Sequence, residues 1–316
     1  MGRYILRRVL IALPTMLGVT IVAFLMIHLI PGNIVQVMLG TRTDVTPQQI
    51  HQLYRLYGIN QPLYIQYWHW LSQLLTGNLG FSLRTGLPIA ALINQSFGVT
   101  AELALGALVL AVVVAVPLGM IAALYQNTVW DYLARGLALF GLIIPNFWLG
   151  TMLVMLTSVY LPVLSVFNYV PLLTNPVLNL KDMIVPIFTL ALSLMAIITR
   201  MTRSAVLETV QLDHVRTARA KGLKDLVVNL RHVLRNSLIP ITTIVGLQLG
   251  YLLGGAIVVE NVFSLPGMGR LIVDAINQRD YPVVQSSILF VSAIFVLVNL
   301  VVDISYGFIN PQIRYQ

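Results

Sequence analysis

Long apolar runs constrain the fold of this chain more than any other feature of its sequence. An α-helix needs about 20 predominantly apolar residues to cross the hydrocarbon core of a bilayer. Hydrophobic residues make up 58% of the 316 positions and charged residues only 9%, a balance that soluble domains do not show. We predict an all-α integral membrane protein with six transmembrane helices, at residues 9–30, 97–124, 136–159, 183–199, 239–259 and 284–309.

Prolines within four of these stretches predict kinked helices in a packed bundle. Proline lacks a backbone hydrogen-bond donor, and a membrane helix tolerates it where its neighbours satisfy the freed carbonyl group. The four positions are Pro14, Pro117, Pro145 and Pro186.

The distribution of basic residues predicts how the helices are oriented. With the N-terminus inside, thirteen of the 19 Lys and Arg residues fall in cytoplasmic segments, eight of them within residues 200–238. Segments that stay in the cytoplasm carry this excess, so we expect both termini there. The basic residues before the first stretch resemble the start of a signal peptide. Its apolar part is too long and no small-residue cleavage site follows, which indicates an uncleaved helix.

Residues 31–96 are expected outside the membrane, with helices of their own. Thr46 as N-cap, Pro47 and Gln49 predict a helix that ends near Gly58, because they complete a capping box with proline at the first position. A second helix in "QPLYIQYWHWLSQLLTG" carries four aromatic residues typical of the headgroup level: Tyr64, Tyr67, Trp68 and Trp70. This segment either packs on the bundle or meets a partner outside the membrane.

The segment "VRTARAKGL" (215–223) stands out within the long basic loop 200–238. Topology alone explains its positive charges, but not its small residues Thr217, Ala218 and Ala220, nor Gly222. Short side chains let another protein surface approach closely, and glycine permits a turn that other residues resist. We predict a helix over 204–221, a turn at glycine and a second helix that ends at Pro240. The second helix has an apolar stripe: Leu223, Leu226, Val227, Leu230, Val233 and Leu234.

At this loop the sequence resembles a known family. "DHVRTARAKGL" followed by "HVLRNSLIP" is similar to the cytoplasmic loop of permease subunits of binding-protein-dependent ABC importers, in the dipeptide, oligopeptide and nickel branch. The wider family carries Glu-Ala-Ala, three residues and glycine, and the branch usually has arginine for the glutamate and a preceding acid. The matching residues here are Asp213, Arg216, Thr217, Ala218, Arg219, Ala220, Lys221 and Gly222.

Other segments resemble the same branch in the expected order. "GNLGFS" (77–82) is similar to its Gly-Asp-Leu-Gly-x-Ser, with Asn78 in place of the acid. Residues 255–285 resemble its Glu-x-x-Phe-x-x-Pro-Gly-x-Gly region and the following Arg-Asp-Tyr-Pro, and residues 298–314 its closing helix. Together with the first helix, these segments cover most of the chain.

The resemblance implies a type I ABC importer permease fold in a bacterial inner membrane. Residues 1–95 would hold the first helix and an external segment, residues 96–310 the transmembrane core with its coupling loop, and residues 311–316 a cytoplasmic tail. The implied partners are a second homologous permease, two ATPase subunits that dock on the loop, and a solute-binding protein. This chain would bind no cofactor, since ATP and Mg²⁺ belong to the ATPases. Dipeptides, oligopeptides, nickel complexes and glutathione are all transported in this branch.

Ionisable residues near the membrane are candidates for the substrate path or an external gate. Glu102 either lines a path that receives a cation or makes a salt bridge, and Asp303 is expected to pair with Arg200 or Arg203. Charged groups in a bilayer usually face protein or water. Glu260 and the segment after it form either a gate, a contact for the binding protein or a plain turn. The residues of that segment are Pro266, Gly267 and Gly269.

Other functions fit less well. An ion-coupled secondary transporter is the main alternative, but the chain shows no clear internal repeat and few intramembrane acids. No Gly-x4-Gly-Lys-[Ser/Thr] loop or hydrolase motif is found, and the five histidines are scattered, so an enzyme is not expected. The absence of cysteine excludes disulfides and thiol chemistry. We expect no nucleic-acid partner, because topology accounts for the basic residues.

Overall fold

The computed structural model describes residues 2–29, 60–161 and 168–309. These ranges are almost entirely helical, and the one β-bridge within them joins Phe81 to Pro88. The helices are α1 (Gly2–Leu29), α2 (Leu63–Leu75), α3 (Ile89–Leu124), α4 (Val129–Ile143), α5 (Asn146–Tyr160), α6 (Pro176–Val210), α7 (Asp213–Ala220), α8 (Arg235–Val262), α9 (Met268–Asn277) and α10 (Tyr281–Ile309). A turn at Asp225–Val227 and a π-helix at Val228–Leu234 lead into α8 without a break. The all-α prediction is confirmed.

The long helices α3 and α6 form the centre of the bundle and run parallel. Glycines let them approach closely: a methyl group added at Gly106 would lie 2.6 Å from Ile187, and one added at Gly119 would lie 2.7 Å from the Thr199 carbonyl oxygen. The α3 face in the core repeats small side chains, as membrane helix interfaces commonly do: Ala104, Ala107, Ala111 and Ala115.

Within the described residues, four helices are long and apolar enough to cross a membrane, and the number reaches six if two bent pairs each count as one span. The predicted stretch 136–159 is one of these pairs, because α4 and α5 meet at 98°. The expectation of a kinked but continuous helix is wrong at Pro145. Its ring removes the N–H donor and drives the preceding Ile144 into an extended conformation (φ −76°, ψ 121°). The other three prolines lie inside α1, α3 and α6.

Separate apolar clusters close the two ends of the bundle. At one end, which we call the hairpin end, the last turns of α3 and α6 pack against the segment 215–233. At the other, which we call the Ser82 end, the start of α3 packs against α9 and the start of α10.

Helix α2 confirms the second predicted helix of the segment 31–96 and packs on α1. The Tyr67 hydroxyl lies 2.9 Å from Thr20 Oγ1, and the Phe24 ring contacts both Tyr67 and Trp70. Tyr64 and Trp68 are exposed. The aromatic residues therefore divide between packing and an exposed face. The helix predicted to start at Thr46 and the tail 311–316 lie outside the described residues.

Candidate functional site

The loop that resembles the family's coupling loop is a helical hairpin with Gly222 at its turn. Gly222 has φ +76°, in the left-handed region that glycine adopts without steric cost. Its N–H donates to the Arg219 carbonyl (2.9 Å) and the Leu223 N–H to the Ala218 carbonyl (3.4 Å), the paired bonds that close a helix with glycine just beyond its end. A methyl group at Gly222 would meet no atom within 4 Å. Backbone conformation, rather than crowding within this chain, therefore requires the glycine.

The hairpin exposes most, but not all, of the predicted coupling residues. Ala218 is buried with Val215 against Val206, because these two positions lie three apart on the inner face of α7. The small size of Ala218 therefore serves packing inside the hairpin. The other members of the predicted set are exposed: Asp213, Arg216, Thr217, Arg219, Ala220, Lys221 and Gly222.

Two predicted boundaries of the hairpin are wrong. The first helix is interrupted, since α6 ends at Val210 and α7 starts at Asp213 after an extended Leu212 (φ −71°, ψ 146°). This break turns α7 so that its inner face packs on α6. The second helix does not end at Pro240, which lies inside α8. A single proline removes one hydrogen bond, and a packed membrane helix can continue past it.

The predicted apolar stripe is not the buried face of the second helix. Val228 and Val233 are buried instead, and they lie five residues apart, the repeat of the π-helix in which they sit. The stripe assumed α-helical periodicity, so only Val233 of its members is buried. Four members are exposed at the hairpin surface: Leu223, Leu226, Val227 and Leu230.

A buried ion cluster near the hairpin end was not predicted. Asp131 on α4 has a fully buried side chain and accepts two bonds from Arg203 on α6, Nε–Oδ1 at 2.8 Å and Nη2–Oδ2 at 2.9 Å. Arg135 Nε lies 3.1 Å from Asp131 Oδ1. Arg203, one of the two partners predicted for Asp303, thus pairs with Asp131. The Asp303 side chain lies outside the described residues. The sequence feature that could have indicated this cluster is Asp131 itself, an acidic residue four positions before Arg135 on the same helix.

The predicted gate residues meet around a second buried carboxylate at the Ser82 end. Glu260, in the last turn of α8, is fully buried. Its oxygens accept from Thr100 Oγ1 at 2.6 Å and from the backbone N–H groups of Gly269 (2.7 Å) and Arg270 (3.2 Å). These N–H groups open α9, whose N-terminus favours a negative group. Glu260 thus ties α3, α8 and α9 together.

This site requires glycine at two positions because neighbouring atoms approach the backbone closely there. A methyl group on Gly267 would overlap the Glu260 carboxyl group, and one on Gly269 would overlap the backbone of Ile257. Gly267 itself has an ordinary extended backbone (φ −93°, ψ 179°). Pro266 is exposed beside them. The turn is therefore closed over the carboxylate by residues without side chains.

Two segments that resemble the family contact each other at a junction that was not predicted from the sequence. The Ser82 hydroxyl, at the end of "GNLGFS", donates to Asp280 Oδ2 in "RDYP". The backbone N–H of Leu83 also donates to Asp280 (3.2 Å), and Arg84 Nε donates to the Gln278 carbonyl (2.7 Å). Both motifs could be recognised in the sequence, but nothing in the sequence indicated that they contact each other.

Glu102 has a hydrogen-bond partner in the segment that precedes α6. The Tyr169 hydroxyl donates to Glu102 Oε2 at 2.9 Å. Burial and this carboxylate raise the pKa of Tyr169 to about 12. Asp182 on α6 is also buried. Among the residues with described side chains, no three His, Cys, Asp or Glu residues are grouped to hold a metal ion.

Comparison with known proteins supports the family resemblance over the whole chain. The family described as "Binding-protein-dependent transport system inner membrane component" matches residues 115–315, and its N-terminal companion family matches residues 1–101. The chain is 39% identical to the dipeptide transport system permease protein DppB of Escherichia coli K12, over 100% of both chains. It is 43% identical to DppB of Alkalihalophilus pseudofirmus, over 99% of both. It is 39% identical to the glutathione transport system permease protein GsiC of Escherichia coli K12, over 100% of both.

Proposed function

Since the chain belongs to the family of inner membrane components of binding-protein-dependent transport systems, we propose that it forms half of the path by which an ABC importer carries short peptides inward. The relatives named for dipeptide and glutathione transport support that substrate class, because both transport molecules with peptide-type amide bonds. The chain is a permease subunit of the inner membrane. The second half of the path is a homologous permease.

The hairpin end lies in the cytoplasm, where it meets an ATPase subunit. Eight basic residues in 200–238 support this side for the hairpin. Both termini then lie in the cytoplasm and six spans cross the membrane. ATP and Mg²⁺ bind to the two ATPases, and this chain catalyses no reaction.

The exposed surface of the hairpin is the observation that best supports contact with an ATPase. Arg216 and Arg219 on α7 and Lys221 just after it are exposed beside the Gly222 turn, and an exposed apolar patch, Leu226 and Leu230, lies on the second helix of the same hairpin. Exposed apolar patches rimmed by charge are typical of protein interfaces. A groove in the ATPase that accepts this turn covers both the charges and the leucines.

The Ser82 end faces the solute-binding protein. There the junction of Ser82 with Asp280 fixes the loop 78–87 on the start of α10, and Glu260 fixes the turn at Gly267. These bonds hold the external surface in one arrangement for a partner to recognise. Glu102 lies one helical turn from Gly106 on α3, at the outer part of the path, where it contacts the ammonium group of a passing peptide.

Substitution of Gly222 tests the coupling role. Valine costs about 1–2 kcal/mol in left-handed backbone, whereas asparagine tolerates it. In the assembled importer with its binding protein, Gly222→Val is expected to lower substrate-stimulated ATP hydrolysis by about tenfold, the equivalent of that cost. Gly222→Asn is the matched control and should retain most of it, at equal amounts in the membrane.

Normal stimulation in Gly222→Val contradicts the coupling role. A separate measurement addresses the alternative of a secondary transporter. Uptake that continues in cells without the ATPase subunits, driven by a proton gradient, would refute the importer.

A further inference from the structure

A groove of about 530 Å³ lies between α1, α8 and α10, away from the residues assigned above. Arg8, Thr15 and Val19 line it from α1, and Phe295 and Asn299 from α10. Gly254 of α8 is part of its floor. A volume of this size fits a small-molecule ligand.

The glycine in the floor leaves the groove open. A methyl group at Gly254 would meet no atom within 4 Å. Gly250, one turn earlier, differs: there the Phe295 ring lies 2.5 Å from the position of an added methyl group. The empty space therefore belongs to the part of the groove near Gly254.

Polar groups are concentrated at one end of the groove. In the proposed topology the start of α1 and the end of α10 lie on the cytoplasmic side, so Arg8 and Asn299 share that end. Thr15, further along, donates its hydroxyl to the Ile11 carbonyl at 3.0 Å and leaves the groove wall apolar. The groove thus has a cationic end at the membrane surface and an apolar body.

The length of the groove matches one leaflet of a bilayer. The rise along α1 from Arg8 to Val19 is about 16 Å at about 1.5 Å per residue. The hydrocarbon core is about 30 Å thick, so the groove reaches about half-way through it. An acyl chain of one leaflet has this reach.

We propose that the groove binds an anionic phospholipid of the cytoplasmic leaflet, with an acyl chain between α1 and α10 and the phosphate at Arg8. Basic pockets between helices on the cytoplasmic side are typical sites for such headgroups. The site anchors α1, whose residues Arg8–Met26 are mostly not buried within the described structure, to the rest of the bundle. The choice of leaflet rests on the topology in the proposed function.

Retention of phosphatidylglycerol by the assembled importer tests the site. Native mass spectrometry of the importer, after delipidating washes, should show a retained phosphatidylglycerol. Gly254→Leu fills the groove and should abolish retention. Gly136→Leu makes the same change at another open position, on α4, and should leave retention unchanged. Equal retention in both variants would overturn the proposal.

A charge variant keeps the test decisive if Gly254→Leu does not fold. Arg8→Gln should lower the preference for phosphatidylglycerol over phosphatidylethanolamine by about fivefold, the factor that corresponds to about 1 kcal/mol per basic residue near the surface. Arg8→Lys should preserve the preference. An unchanged preference in Arg8→Gln contradicts a headgroup site at Arg8.

Cross-linking distinguishes a lipid from a protein occupant. The chain has no cysteine, so Ala12→Cys in the groove can carry a single photoreactive benzophenone. Adducts with phospholipid support the proposal, and adducts with the second permease overturn it. Labelling of Arg3→Cys by an impermeant maleimide, before and after lysis, checks the topology separately. Neither measurement depends on transport.

Discussion

The two ends of the bundle bury a carboxylate in different ways. Asp131, near the hairpin end, is surrounded by the arginines at 203 and 135. Glu260, at the Ser82 end, accepts only from neutral donors, the Thr100 hydroxyl and the first N–H groups of α9. Both side chains are 0% exposed.

The difference shows that each site is sensitive to a different change. An ion pair without water is destabilised most when one partner is removed, because the other charge remains buried. A carboxylate held by backbone N–H groups depends instead on how closely the backbone approaches it. Removal of charge should therefore affect the Asp131 site most, and added volume should affect the Glu260 site most.

Removal of the Asp131 carboxylate should have the largest effect. Asp131→Ala leaves Arg203 without its partner and is expected to lower the free energy of unfolding by about 3–5 kcal/mol. The double variant Asp131→Ala, Arg203→Leu should recover part of this loss. Unfolding of the purified permease pair by SDS in mixed micelles measures both. Equal losses in the single and double variants would show that the pair is not coupled.

A methyl group at Gly267 should have the next largest effect. Gly267→Ala forces the turn away from Glu260 and should destabilise the permease by about 3 kcal/mol, at the upper end of the overpacking range. Gly98→Ala is the control, because an added methyl group there meets no atom within 4 Å. The same unfolding assay compares them, and a Gly267→Ala permease as stable as the control would contradict the close approach.

Loss of the Thr100 hydroxyl should have an intermediate effect. This oxygen donates to Glu260 and accepts from the Met268 N–H at 2.8 Å. Thr100→Val keeps the shape but leaves buried polar groups unpaired, at a cost of about 2 kcal/mol. Thr100→Ser should restore most of the stability. If valine and serine behave alike in thermal unfolding, the hydroxyl does not hold the turn.

Replacing each carboxylate by its neutral amide should show the difference in charge dependence between the two sites most clearly. Glu260→Gln keeps an acceptor for the α9 N–H groups and an amide for Thr100, so we expect a loss of about 1 kcal/mol. Asp131→Asn should cost several times more, since Arg203 keeps its charge. The ratio of the two losses, measured under one unfolding condition, is the informative quantity. A ratio near one would mean that charge plays no different part at the two ends.

Sequence reasoning found local features better than long-range contacts. The hairpin turn at Gly222 could be predicted, because a glycine between two helical patterns is a local signal. The Asp131 and Glu260 sites depend on partners 72 and 160 residues away, which a single sequence does not reveal. The π-helix had no residue signature either, so the stripe was assigned with the wrong period. Pro145 and Pro240 show that context decides whether proline ends a helix.

The second helix of the hairpin and the helix that carries Glu260 are one continuous piece of chain. From Asp225 to Val262 no loop intervenes, and the length is about 55 Å at about 1.5 Å per residue. The helix bends by 51° between Leu252 and Ala256. The Gly222 turn and the glycine turn over Glu260 therefore lie at opposite ends of one bent helix, with no loop between them to absorb a displacement of either end.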